Sequence, residues 1–341
     1  WLLLDLGERA ASVRESDRLA LAAALAHRAA VADLVLAVQE DYYGYLAALA
    51  LVEAQGSTVA QAQTSLAAAE NRRRAGVATV ADVLQARTAL SQARLVLQQV
   101  EGIALVRRGH LASPVGLSPA AEIDVGVLPS RAEVAPAAPQ VDALLAEAAA
   151  RNPDLARARA VADAAEAGAT AAARAGLPTL SGQAGVGRTW YVAPREDDAD
   201  AWWGGLVLRV PLFQRLRSRH DALAARERAA AARARAEATA QGVAVGVWTS
   251  HQAVRTASLR VETSADLLAS ATASAEVAQA RYKEGVGSIL DLLNAQSALA
   301  TARAEEVLAR ADFFVSLARL ARAAGRLPAA PETAPPQGAS P

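Results

Sequence analysis

Apolar residues recur along this chain at two spacings, and the spacings predict two kinds of element. Val83, Ala86, Leu90, Ala93, Leu97, Val100 and Ala104 advance in alternating steps of three and four, the seam of one helix packed along another. A second seam reads Leu292, Ala295, Leu299, Ala302, Glu306, Ala309 and Phe313, with one polar interruption. Each seam follows a long stretch without proline, roughly Glu8 to Arg74 and Arg215 to Glu284. Such stretches predict helices of about 65 residues, which at ~1.5 Å per residue reach roughly 100 Å. Gly56 and Gly242 are candidate bend points within them. Alanine in the seams lets helix backbones approach closely, so each half reads as a slender antiparallel helical hairpin that turns at a glycine.

The other spacing is two. From Leu180 to Val192 the even positions read Leu180, Gly182, Ala184, Val186, Arg188, Trp190 and Val192, and the odd ones Ser181, Gln183, Gly185, Gly187, Thr189 and Tyr191. From Trp202 the even series continues as Trp202, Gly204, Leu206, Leu208, Val210 and Leu212. Both runs are long enough for tilted membrane strands and predict a β-hairpin over 177–213 around the acidic segment 193–201. Trp190, Tyr191, Trp202 and Trp203 gather at its loop end, the place of an aromatic belt at the lipid–water boundary. Arg188 is compatible with that place if it snorkels to the interface. A hairpin of a soluble sheet with these aromatics in its core is the competing reading.

Prolines at 114, 119, 129, 136 and 139 mark 120–140 as a Pro-rich linker, because proline removes a backbone donor and ends helices. A helical segment is placed over 141–176, with Asn152-Pro153-Asp154 reading as a helix start. The tail 328–341, rich in Pro, Ala and Gly, is expected to be disordered.

The two seams belong to one repeated unit. Arg72-Arg73-Arg74-Ala75-Gly76-Val77-Ala78-Thr79-Val80-Ala81-Asp82-Val83-Leu84 and Arg281-Tyr282-Lys283-Glu284-Gly285-Val286-Gly287-Ser288-Ile289-Leu290-Asp291-Leu292-Leu293 stand 209 residues apart. The register holds without a gap through Ala86/Ala295, Leu90/Leu299 and Arg94/Arg303, and on to Gly116/Gly325 and Pro119/Pro328. We therefore divide the chain into a first repeat, 1–119, with its tip at 75–82, and a second repeat, 141–327, with its tip at 284–291. The second repeat has a long lead before the matched region and the first has none. The expectation is that a comparable N-terminal lead has been cut off and that Trp1 to Gly7 is the end of a second strand pair.

Composition narrows the function. Aromatic residues make up 4% of the chain while 53% is hydrophobic, which suits long alanine-packed helices better than a bulky core. The formal net charge of +0 gives no electrostatic case for nucleic acid. Cysteine is absent, so disulfides and thiol chemistry are excluded. No unbroken run of about 18 apolar residues occurs, so no transmembrane helix is predicted, and no signal peptide is visible. His27, His110, His220 and His251 stand apart without partners at ligand spacing. No phosphate loop, nucleotide fingerprint or nucleophile elbow is present. The reading is therefore of a protein that is no enzyme and uses no metal and no cofactor.

The tip motif Arg281 to Gln296 with its partner Gly76 to Arg87, the helix start Asn152-Pro153-Asp154-Leu155, the strand entry Leu177-Pro178-Thr179-Leu180 and the strand exit Val210-Pro211-Leu212-Phe213 together resemble the TolC/OprM family of outer-membrane efflux proteins. The resemblance covers nearly the whole chain. It implies a mainly α fold with a small β part, in which long antiparallel helical hairpins form a tapering periplasmic tunnel and the strands join a trimeric transmembrane β-barrel. It implies a homotrimer in outer-membrane lipid, extending into the periplasm. That trimer would be the passive exit channel of a tripartite efflux pump or type I secretion system, working with an adaptor protein and an inner-membrane transporter. A periplasmic adaptor or a structural coiled-coil protein is the alternative; an adaptor would carry one hairpin flanked by β-rich segments. By resemblance, Gly76, Val77, Ala78, Thr79, Gly285, Val286, Gly287 and Ser288 would meet the adaptor. Asp291 and Asn294 would narrow the entrance, and Asp82 and Tyr282 would tie neighbouring hairpins together. The family often has a second acid where Asn294 stands, and some members have an arginine where Gly287 stands. A helix-capping role for Asp82 and Asp291, favoured by the helix dipole, competes with the gating one, and the glycines are equally readable as turn residues.

Overall fold

The computed structural model describes residues 1–130, 140–189, 199–212 and 215–327. In chain order the elements are β1 (Leu2–Leu4), α1 (Glu8–Arg74), α2 (Val80–Ala112), α3 (Val141–Arg151), α4 (Pro153–Arg174), β2 (Thr179–Thr189), β3 (Ala199–Arg209), α5 (Arg215–Lys283) and α6 (Ile289–Ala323). Backbone contacts group them into two units, residues 1–29 with 149–243, and residues 30–148 with those from 244 onward. The units do not follow the sequence repeat, because each takes residues from both copies.

In the first unit an antiparallel sheet of order β1-β2-β3 is joined by α4 and by the adjoining turns of α1 and α5. The segment expected as one helix over 141–176 is instead two, α3 and α4, broken at Asn152. Pro153 lacks an N–H and its ring opposes a preceding helical turn. Asn152 therefore turns extended, and its side-chain oxygen accepts from Asp154 N (3.0 Å) and Leu155 N (3.2 Å). Packing here runs through small residues: Ala162 of α4 meets Ala232 and Ala236 of α5. A Cβ on Gly168 would stand 2.7 Å from the Glu15 carboxylate, and one on Gly176 2.8 Å from Ser218. The strand β1 gives way to α1 through Leu6 and Gly7, both at positive φ. Asp5 caps the new helix by accepting from Gly7 N (3.0 Å) and Arg9 N (2.8 Å).

In the second unit the predicted seams are the core. Val59 and Ala62 of α1 pack on Leu90 and Ala93 of α2, and Ala271 and Ala275 of α5 pack on Leu299 and Ala302 of α6. The polar interruption is resolved by an ion pair: Glu306 holds Arg310 at 2.9 Å, and Arg310 also donates to the Pro129 carbonyl (3.2 Å). That carbonyl belongs to the linker, whose described part, 120–130, is non-helical. Leu128 seats the linker against Leu46, Ala47, Val307 and Ala311. The rest of the linker, 131–139, and the tail 328–341 lie outside the described residues.

Both α1 and α5 run uninterrupted through Gly56 and Gly242. One expectation about α1 changes. Although no unbroken apolar run occurs, α1 contains an 18-residue window of mean hydropathy 1.7, apolar enough by length and composition to cross a membrane. A run criterion misses it because single charged residues interrupt an alanine- and leucine-rich stretch without lowering its mean much.

Candidate functional sites: the sheet and the paired tips

The register of β2 and β3 sorts the hairpin into two unlike faces. Leu180↔Leu208, Gly182↔Leu206, Ala184↔Gly204, Val186↔Trp202 and Arg188↔Asp200 share one face; Ser181↔Val207, Gln183↔Gly205, Gly185↔Trp203 and Gly187↔Ala201 share the other. The first face is apolar and open to the surroundings, with Val186 90% and Trp202 85% exposed. A soluble hairpin buries such a ladder, so the competing reading fails. From Trp202 to Leu208 the series covers about 20 Å along β3, within the ~25 Å height of a lipid-facing band. Beyond Trp202 the cross-strand pair Arg188–Asp200 (3.5 Å) closes the face with charge.

The expected aromatic belt is corrected in one member. Trp203 points away from Trp202, because successive strand residues face opposite sides. Its indole lies over Gly185, where a Cβ would stand 2.8 Å from the ring, on the polar, glycine-rich face. Of the other three, Trp202 is on the apolar face, and Trp190 and Tyr191 lie outside the described residues.

The two tips are the same piece of backbone built twice. At the end of α1, Gly76 takes φ +75°, Gly76 N donates to Arg73 O (3.0 Å) and Val77 N to Arg72 O (3.0 Å). At the end of α5, Gly285 takes φ +81°, Gly285 N donates to Tyr282 O (3.2 Å) and Val286 N to Arg281 O (3.0 Å). This is the Schellman closure, which needs a left-handed residue and so favours glycine. Two residues later a capping box starts the next helix. Thr79 accepts from Asp82 N (3.2 Å) while Asp82 accepts from Thr79 N (2.8 Å). Ser288 accepts from Asp291 N (3.1 Å) while Asp291 accepts from Ser288 N (3.3 Å). Both carboxylates thus do the capping work that competed with gating in the sequence. Capping leaves each a second oxygen, and Asp291 stays exposed, as does Asn294 one turn on.

The tips sit together. Tyr282 and Ile289 and Leu292 of the second hairpin share one buried cluster with Ala69, Val83 and Ala86 of the first. Burial pushes the Tyr282 phenol above its ordinary 10.0, with Asp82 adding to the rise and Arg72 opposing it. Tyr282 thus joins two hairpins of one chain. Val77, Thr79, Val286 and Ser288 are exposed around the cluster, whereas Ala78 and Gly287 are half-buried. Farther along, Gln296 donates to Ser65 Oγ (2.9 Å) and Arg303 reaches Gln61 (3.4 Å). The sequence offered no sign of these pairs, nor of Arg72 on Tyr282, since cross-hairpin partners have no fixed spacing. Among the described residues no group of three His, Asp or Glu is placed to hold a metal ion.

Known proteins share this fold. Residues 1–116 and 144–326 match the sequence family described as outer membrane efflux protein. Protein CyaE of Bordetella pertussis is 30% identical over 332 residues, covering 96% of this chain and 69% of that protein. The outer-membrane channel OprN superposes with a TM-score of 0.84 at 22% identity, over 94% of this chain and 73% of its own. The outer membrane protein VceC of Vibrio cholerae gives 0.82 at 21% identity, over 94% and 77%.

Proposed function

Because the chain belongs to the outer membrane efflux protein family, we propose that its paired tips form the periplasmic entrance of a passive exit channel and control its width. The protein itself is an outer-membrane exit channel that extends into the periplasm. Its strands contribute to a membrane barrel, which must close because lipid cannot satisfy an open sheet edge. Three copies assemble around one pore, and an adaptor protein docks on the tips Gly76 to Thr79 and Gly285 to Ser288, where all but Ala78 and Gly287 are exposed. Energy comes from an inner-membrane transporter of an efflux pump or type I secretion system.

The observation that carries this reading is the convergence of two tips, 209 residues apart in sequence, on one cluster with Asp291 and Asn294 exposed at the start of α6. In a trimer, symmetric copies of Asp291 near the axis attract cations and repel one another. Asp82 and Tyr282 steady the hairpins behind them. Asp291→Asn tests the idea, because an amide oxygen can still cap the helix while the charge is gone. In full-length channels in planar bilayers, the substitution should raise conductance and weaken block by divalent cations. Unchanged conductance and block would mean that the carboxylate serves the helix end alone.

A further inference from the structure

Arg72 ends the first long helix, yet its guanidinium belongs to the second tip. One Nη donates to the carbonyl oxygen of Tyr282, and the guanidinium carbon lies 4.8 Å from the centroid of the Tyr282 ring. Both Nη atoms stand 3.6 Å from the point a Cβ on Gly285 would occupy. The carbonyl lies in the last turn of α5, where carbonyls lack helical partners and the dipole end is negative. It already accepts the Gly285 N–H, and its second lone pair is free for Arg72. The Tyr282 ring, 4% exposed, is thus held by an apolar cluster drawn from both hairpins and by a cation drawn from the first.

The repeat shows that this is no general property of tip arginines. Arg281 stands where Arg72 stands in the other copy, and it is exposed, with no side-chain hydrogen bond or ion pair among the described residues. The contact is one-directional: the first tip grips the second.

We propose that Arg72 is a positioning residue for the entrance, clasping the second tip to the first, and that releasing this clasp lets the second tip swing away. The proposal rests on reading the tips as the entrance. A hydrogen bond to a helix-end carbonyl and a partly buried cation–π contact together justify a shift of about tenfold in the ratio of held to released tips. These 341 residues hold no cysteine, so Val77→Cys and Val286→Cys, both at exposed positions, give one spin-label pair within them, any cysteine elsewhere in the full-length protein being replaced by serine. Full-length trimers diluted with unlabelled protomers would be measured with Arg72→Gln and, as the repeat-matched control, Arg281→Gln. Arg72→Gln should broaden the distance distribution toward longer separations and raise bilayer conductance; Arg281→Gln should do neither. An unchanged distribution in Arg72→Gln, or equal broadening in Arg281→Gln, would overturn the clasp. Broadening without a rise in conductance would keep the clasp and overturn the entrance reading beneath it.

Discussion

The two tips match in their closing glycine and capping bonds, with one extra bond in the second from Gly287 N to Arg281 O (3.0 Å), and differ in almost every neighbour. Both close with a Schellman glycine and reopen with a capping box. Yet Ile289 is 4% exposed while its counterpart Val80 is 52% exposed, and buried Tyr282 corresponds to exposed Arg73. Even the residue before the cap differs. A Cβ on Gly287 would stand 3.1 Å from the Arg281 side chain, whereas the first tip carries Ala78 there. Local sequence makes the turn, and the neighbouring hairpin decides which side chains of that turn become core. The second tip is the seated one and the first supplies part of its seat.

This contrast breaks most easily at the first residue of the outgoing helices. Ile289→Ala should cost about 2–5 kcal/mol, as buried large-to-small changes do, and Val80→Ala should stay within about 0.5 kcal/mol. Thermal unfolding of the detergent-solubilised protein reads both, and equal losses would abolish the asymmetry. The glycines sharpen the other half of the comparison. Gly76→Ala and Gly285→Ala each place a Cβ in the left-handed region, at about 1–2 kcal/mol. Because the two glycines share one conformation and one closing bond pattern, the two losses should agree too, and a large difference would show that surroundings reach into the turn.

The smallest effect is chemical. Tyr282 holds its proton more tightly folded than unfolded, since burial raises its pKa above 10.0. The stabilisation is complete below that value and is lost as pH climbs through the folded pKa. Absorbance at 295 nm, compared between the protein and Tyr282→Phe, should reveal one tyrosine that ionises later than a free phenol. A normal titration would place the ring in water.

Much of this molecule was written in its spacing. The steps of three and four at Val83 to Ala104 marked the α2 seam, and the period of two marked β2 and β3. Even the break at Asn152-Pro153 was visible as a helix start, although the preceding turns were merged with it, because α3 has the same alanine-rich composition as α4. The belt was misjudged at Trp203 for a different reason. Clustering along the chain put neighbours together, whereas strand alternation already sends Trp202 and Trp203 to opposite faces; the pairing with Gly185 adds where the indole rests.

By itself the sequence determined what is local and periodic: helix seams, strand alternation, the glycine turns and their capping boxes. The tip motifs, the Asn152-Pro153-Asp154-Leu155 helix start and the strand entry and exit also carried the resemblance to the family. Tertiary structure alone decided that Arg72 reaches Tyr282, that Ser65 meets Gln296, that Arg310 reaches the Pro129 carbonyl and that Tyr282 and Ile289 are buried while Arg73 and Val80 are not. Contacts within a turn are set by covalent distance, so their pattern survives in any copy. Contacts between hairpins depend on the placement of separate rigid bodies, and identical motifs there receive different neighbours.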